Sequence, residues 1–542
     1  MKQHFYKQMM SAFSPNFLGL FVGLSFIVAL SCGSFGRVCA QDPLTPQQRR
    51  GKQIYLQGTS PSGKEILAYI GDSSLEVPGS AMACANCHGF DGLGKPEGGV
   101  IPSNLTWEVL TKPYGLTHAD GRKHPPYTER GLETAIKRGT DPAGNKLQNI
   151  MPRYEMSRED LADLIVYLEL LGKDRDPGIS ESKVVIGTFT PTKGSLGELG
   201  QAIKAVNIAF FDEVNSQGGI YNRHLELKSA ETGESAAATR ANVERLLKED
   251  QIFAMTGAFL AGAESEIVPL MAEREVPLIG PFTLYPQTSS PLNRQVFYLL
   301  AGIDGQARAL VDFAAKKPEV KKTGVVVVYP KSDTNAGLFE SIKDQSKQAG
   351  LSVPQAAEYV NGQFDAAEII KQCKAGNREA VFFLGGSEEA QSLMREAEKQ
   401  GWFPLIFFPG SSTSVVLAAP AGFDARVFLS FPSTSADQSA EALKEFQALA
   451  EKYKLPAHHL AAQISAYGAA RILVEGLKRA GKDLSREKLI QALEGLYQYQ
   501  TGLTPAISFG PNRRIGANGA YVVTVDLKEK RLLPASGWIE IK

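Results

Sequence analysis

Cys84-Ala85-Asn86-Cys87-His88 is the stretch whose residue types and spacing most directly define a chemistry. Two thiols three positions apart on one helical turn can each form a thioether with a vinyl group of a haem. The histidine that follows then points its imidazole at the iron as proximal ligand. A Cys-x-x-Cys pair can also serve zinc or redox chemistry, but a zinc site needs a second pair, which the sequence lacks. The expectation is one covalently bound haem c, attached through Cys84 and Cys87, with His88 on the iron.

The opposite face of the iron calls for a thioether or a second imidazole. Met151, in Asn149-Ile150-Met151-Pro152-Arg153-Tyr154, lies in a loop held by a proline and followed by a helix. That helix is expected over 157–171. Ser157 is its N-cap, Glu159 and Asp160 occupy its first turn, and Leu161, Leu164, Ile165, Leu168 and Leu171 form its apolar face. Met82, Met156, His118 and His124 compete for the role. Met82 adjoins the attachment turn, Met156 reads as a packing residue, and the histidines lie in a polar, proline-rich loop. Met151 is the preferred axial ligand. A thioether there raises the reduction potential relative to a second imidazole.

These residues belong to a chain of 542 residues, long enough for roughly two to four domains. Hydrophobic residues make up 43% and charged residues 21%, the balance of an ordinary soluble protein. Lys+Arg and Asp+Glu stand at 58 each, so overall charge offers no argument for nucleic acid as a partner. Lys2 and Lys7 form a basic start, and 17–30 is an apolar run too short to span a membrane comfortably. Val38-Cys39-Ala40 places small residues where signal peptidase cuts. Residues 1–40 are read as a signal peptide and the protein as periplasmic, with lipoprotein anchoring at Cys32 the weaker alternative. Removal of Cys32 and Cys39 leaves Cys373 as the one thiol outside the haem motif, read as a buried apolar residue.

The segment 45–172 resembles a class I cytochrome c. Gly51-Lys52-Gln53-Ile54-Tyr55 is similar to the first helix of that family, CANCHGFDGLG to its haem turn, IMPRY to its axial-methionine loop and SREDLADLIVYLELL to its last helix. The resemblance implies an all-α domain whose first and last helices pack together. It also implies an exposed haem edge that exchanges electrons with protein partners, such as a periplasmic dehydrogenase or another cytochrome. Residues 173–182, charged and carrying Pro177 and Gly178, read as a linker.

From Lys183 the chain alternates strands and helices. VVIGTF, HLELKSA, IFAMTGA, VPLIGPF, VVVVYP, AVFFLGG and PLIFFPG read as strands, and 194–215 and 238–249 as helices. Such alternation implies parallel sheets with ligands at the strands' carboxyl ends. No G-x-G-x-x-G follows the first strand and no P-loop occurs, which argues against a nucleotide. His458 and His459 adjoin a helix start and are read as capping or surface residues rather than metal ligands.

This stretch resembles the type I periplasmic solute-binding proteins of the branched-chain amino-acid family. IGTFTPTKGSLGELGQA, FFDEVNSQGGIYNRHLEL and TGAFLAGAESEIVPLMAEREVPLIGPFT match the first lobe. VVVVYPKSDTNAGLFESIK and VFFLGGSEEAQSLMREAEKQGW match the second, and AYGAARILVEGLKRAG the helix that returns to the first. The resemblance implies an α/β module of two lobes joined by crossing hinge strands. The first lobe is placed at about 183–302 and 430–500 and the second at about 303–429 and 501–542, closing on a small molecule. Delivery to an ABC permease would follow.

In amino-acid binders of this family, hydroxyls in the first lobe hold the carboxylate and an acid in the second holds the ammonium. The corresponding turns read Phe259-Leu260-Ala261-Gly262-Ala263, Phe282-Thr283-Leu284-Tyr285 and Phe408-Pro409-Gly410-Ser411. Only Thr283 supplies a hydroxyl near the expected clamp, and no acid faces the ammonium. The pocket is therefore placed at Phe259, Ala261, Thr283, Tyr285, Thr334, Ser387 and Ser411, for a small molecule other than an ordinary α-amino acid. An electron carrier with a capturing, sensing or docking module is expected; a solute receptor with an accessory haem domain is the alternative. An enzyme is disfavoured, because His/Met ligation leaves the iron no open position for substrate.

Overall fold

The computed structural model describes residues 44–541 apart from 72–74, 95, 97, 119, 289, 411 and 412. The expected signal peptide, with Cys32 and Cys39, and the pocket residue Ser411 lie outside the described residues.

The first domain is built on two crossing helices, Pro46–Gln57 and Arg158–Leu168. A capping box starts the first: Gln48 N donates to Thr45 Oγ1 at 3.2 Å, and Thr45 N to Gln48 Oε1 at 2.8 Å. Ser157 caps the second by accepting from Asp160 N. Arg50 Nε pairs with Asp163 Oδ2 at 2.6 Å across the crossing. The helices meet at Gly51, where a Cβ would lie 2.0 Å from the backbone oxygen of Asp163. Glycine is needed here for close approach. Gly51→Ala is expected to force the backbones apart and cost about 2 kcal/mol in urea denaturation; unchanged stability would refute the tight crossing.

The helical domain also carries a small sheet, which the all-α expectation lacks. Leu67–Ile70 and Leu75–Pro78 form a hairpin, and Arg153–Glu155 pairs antiparallel on the other side of Leu67–Ile70, with Ala68 opposite Tyr154. Gly58, Pro61, Gly63 and Gly71 keep this stretch from continuing a helix, and buried Ala68 and Tyr154 tie it to the core.

The second module contains two sheets. The first is six-stranded and parallel, in the order Ile515–Ala517, Val296–Leu300, Leu278–Ile279, Ala254–Thr256, Lys183–Thr190, His224–Glu231. The second runs Gln355–Tyr359, Val326–Pro330, Ala380–Phe383, Leu405–Phe408, Val427–Phe431 in parallel, then adds Gly519–Asp526 antiparallel. Ala254–Thr256, Ala380–Phe383 and Leu405–Phe408 are buried along their whole lengths, as strands covered on both faces must be.

The chain passes between the sheets after Leu300, after Phe431 and at Asn518. The boundary expected near 501 therefore moves. Ile515 pairs with Tyr298 in the first sheet, and Ile507, Phe509 and Ala517 are buried in that lobe's core before the chain crosses. Val427–Phe431 lies wholly in the second sheet.

Segment 173–182, expected as a linker, is clamped at Asp174 and Asp176. Lys52 Nζ lies 3.0 Å from Asp174 Oδ2 and 3.6 Å from Asp176 Oδ1. Burial opposes the Lys52 charge, but Asp176 and Asp174 outweigh it and hold its pKa above that of a free lysine. Asp176 Oδ2 also accepts from Arg486 N at 2.6 Å. The Arg486 guanidinium donates to the carbonyls of Phe253 at 2.9 Å, Arg274 at 3.0 Å and Ile252 at 2.6 Å.

Candidate haem and ligand sites

Cys84, Cys87 and His88 lie on the short helix Cys84–His88, which Gly89 terminates. His88 is buried, and its Nδ1 is 2.8 Å from the Ser103 carbonyl. A carbonyl can only accept, so Nδ1 carries the hydrogen and the Nε2 lone pair is left for a metal. Burial lowers the imidazole pKa despite that bond, which favours the neutral, ligating form. Neither cysteine is in a disulfide. Burial pushes the Cys84 thiol up to about 11, the opposite of the activated thiolate in a redox Cys-x-x-Cys.

Two tyrosines fasten the attachment turn from either end. Tyr55, on the first helix, donates to the Gly89 carbonyl at 2.7 Å. Tyr154, on the strand after Met151, donates to the Met82 carbonyl at 2.6 Å. The sequence reading assigned neither a role. Their signal was apolar context: each is a buried hydroxyl, and a buried hydroxyl needs a partner.

Met151 is half-buried against the same apolar core as Ala85 and Cys84. Its loop is held from both sides. Met151 N donates to the Gln148 carbonyl at 3.0 Å, and Leu147 N to the Gly139 carbonyl at 2.9 Å. Arg153 donates to the carbonyls of Met151 and Leu147, and the following strand joins the small sheet. The histidine competitors engage each other: His118 Nε2 lies 2.9 Å from His124 Nε2, and His124 Nδ1 lies 2.7 Å from the Pro125 carbonyl. Both His124 nitrogens are thereby occupied. Two thiols, an imidazole whose Nδ1 is committed to a carbonyl and a thioether that packs on the same apolar core as Cys84 make a donor set that fits a haem c.

In the second module, Phe259, Ala261, Thr283 and Tyr285 come together where Phe259 bridges to Phe282, with Leu260 N donating to the Phe282 carbonyl at 2.9 Å. Leu284 and Tyr285 are exposed there. Thr334, on the helix Asp333–Gln348, and Ser387, opening Ser387–Lys399, are exposed at the carboxyl ends of second-sheet strands. A residue the sequence reading missed is Glu264. Its Oε1 accepts from Thr283 Oγ1 at 2.5 Å and its Oε2 from Gly262 N at 2.9 Å. The expected clamp hydroxyl thus spends its hydrogen on a buried carboxylate. An acid opening a helix just after the turn was the available clue.

The family model described as periplasmic binding protein matches residues 183–531. The chain belongs to that family. A second model, cytochrome c, matches residues 79–171, so a cytochrome c domain precedes the periplasmic-binding-protein module. An amino acid binding protein of Pseudomonas aeruginosa is 23% identical over 44% of this chain, which spans 63% of that protein's length. A Leu/Ile/Val-binding protein of Rhizobium johnstonii is 24% identical over 58% of this chain and 84% of its own. Among solved structures, the fatty acid ABC transporter substrate-binding protein of Thermomonospora curvata aligns with TM-score 0.53 and 20% identity. It covers 68% of this chain and 95% of its own. A branched-chain amino acid ABC transporter protein of Thermus thermophilus, with bound valine, gives TM-score 0.53 at 17% identity over 67% of this chain and 98% of its own. The relatives are solute-binding proteins. In this periplasmic binding protein, no helix among the described residues is long and apolar enough to cross a membrane.

Proposed function

We propose that the protein is a periplasmic electron carrier with one haem c, attached through Cys84 and Cys87, with His88 and Met151 on the iron. The observation that carries this reading is the buried His88, whose Nδ1 is committed to the Ser103 carbonyl while its Nε2 remains available. When bound, the haem supplies one-electron redox chemistry. His88 and Met151 would hold the iron, and Tyr55 and Tyr154 fasten the attachment turn. Ligated in this way the iron would offer no open position, which supports a carrier for protein partners.

The module is proposed to capture or sense a small molecule or to dock a redox partner. Glu264 stands beside Thr283, at the pole where amino-acid-binding members hold the ligand carboxylate, and would repel it. Phe259, Leu284 and Tyr285 suit a ligand with an apolar portion. Millimolar leucine, isoleucine or valine is therefore expected to leave Tm unchanged. A true ligand at a hundred times its Kd would add about 2.7 kcal/mol. A clear rise with leucine would instead favour the receptor reading, with an ABC permease as partner; the likeness to the Rhizobium Leu/Ile/Val-binding protein supports leucine as the ligand to try.

Cys373 is buried and its thiol is pushed up to about 12 by burial. With both other thiols in thioethers, thiol titration of mature protein should find none in the native state and one in denaturant. Three in denaturant would rule out covalent attachment. The function itself is tested by producing the protein with haem-maturation machinery and mixing it with periplasmic dehydrogenases and their substrates. Substrate-dependent haem reduction is expected. Failure with all of them, together with ready CO binding by the ferrous form, would overturn the carrier reading.

A further inference from the structure

We infer a second metal site, for a divalent cation of the zinc type, formed by Glu198, His458 and His459. One ligand atom from each of these residues lies within 4.8 Å of the others. Two imidazoles and one carboxylate are a donor set that zinc takes with open positions left for water or a further ligand.

The geometry has local causes. Glu198 stands in the first turn of Gly197–Ser216, where the helix N-terminus favours a carboxylate. His458 and His459 immediately precede Leu460–Ala480. His459 adopts the left-handed conformation, with φ 57° and ψ 36°, and the two rings approach to 5.0 Å between centroids. Non-glycine residues take that conformation at a cost, and the surroundings must hold them there. Buried Gln463 does so: its Nε2 donates to the carbonyls of Pro456 at 2.7 Å and His458 at 2.6 Å, fixing the backbone while the rings stay free.

Of the capping or surface roles expected from the sequence, His459 makes no side-chain cap bond, and both histidines are exposed. Among the described residues, neither imidazole nor the Glu198 carboxylate has a hydrogen-bonding or ion-pairing partner. A cation would therefore displace no existing interaction. Zinc takes bonds of about 2.0–2.2 Å to imidazole and carboxylate donors, so the three side chains would close in around it from the observed spacing. Leu199 and Ala462, close in sequence to these ligands, pack in one cluster with Phe259 and Phe282.

The test uses full-length, haem-loaded protein stripped with chelator and titrated calorimetrically with zinc alone. One equivalent is expected to bind, with a Kd of about a micromolar or tighter. His458→Ala combined with His459→Ala should weaken it on the order of a hundredfold, and Glu198→Gln by about tenfold. All three positions are exposed, so circular dichroism and the haem spectrum should not change. No binding at millimolar zinc, or equal affinity in the double histidine variant, would overturn the site.

Discussion

Met151→His is expected to lower the reduction potential of the haem by on the order of 0.2 V, within the roughly 0.8 V over which axial ligands set haem potentials. A thioether favours the reduced iron relative to an imidazole, so the sign is downward. The size assumes that the side chain at 151 stays at its post, and the surroundings hold it there. Pro152 follows, Arg153 bonds the Met151 carbonyl, and Tyr154 is locked into the sheet opposite Ala68. Met151→Ala should instead open the iron to carbon monoxide. Spectroelectrochemistry and CO difference spectra read the two outcomes. An unchanged potential in the first and no CO binding in the second would point to another ligand, with Met82 the next to examine.

Arg122→Ala is expected to destabilise the cytochrome domain by about 3–5 kcal/mol, because it strands a buried carboxylate. Asp141 is enclosed and accepts from Arg122 Nη1 at 2.8 Å, Asn145 Nδ2 at 3.0 Å, and the backbone amides of Asn145 and Ala143, both at 2.9 Å. Burial alone would raise its pKa, but the bonds from Asn145 and Arg122 and the two amides outweigh burial and hold it below the ordinary carboxylate value. A depressed folded pKa contributes stability above the unfolded value and loses it as pH falls. The gap between wild type and variant should therefore be full at pH 7 and narrow below about pH 4. Urea denaturation at both pH values measures it. A loss under about 1 kcal/mol at pH 7 would mean that water replaces the arginine. The affected loop ends at Leu147, four residues before Met151, so a weakened thioether spectrum should accompany the loss.

The haem turn and the alternation of strands were readable because each obeys a local rule. Three-residue spacing of thiols followed by histidine, and apolar runs ending in Gly or Pro, are visible without knowing what lies opposite. The partners were not. Tyr55 and Tyr154 carry no motif of their own, and only the folded chain shows their hydroxyls on carbonyls 34 and 72 residues away. Glu264 has no local sequence sign of its partner, and only the fold brings Thr283 to donate to it. The strand Ile515–Ala517 is three residues long and offers no period to detect, so the lobe boundary near 501 fell short of it. His458 and His459 were legible as ring pairs, but Glu198 lies too far away in sequence to join them without the fold.

Asp176 meets Arg486 across 310 residues of chain. The contact gives the molecule an order of assembly. The cytochrome domain has its own core and can condense as soon as its last helix is made. The bond from Asp176 to the binding module's Arg486 must wait until the helix Arg486–Glu494 has been made and has formed. Contacts that distant form late, since a long loop must close before they are rewarded. Premature termination or slow maturation of the C-terminal region would thus leave a sound cytochrome hanging from an unfinished support.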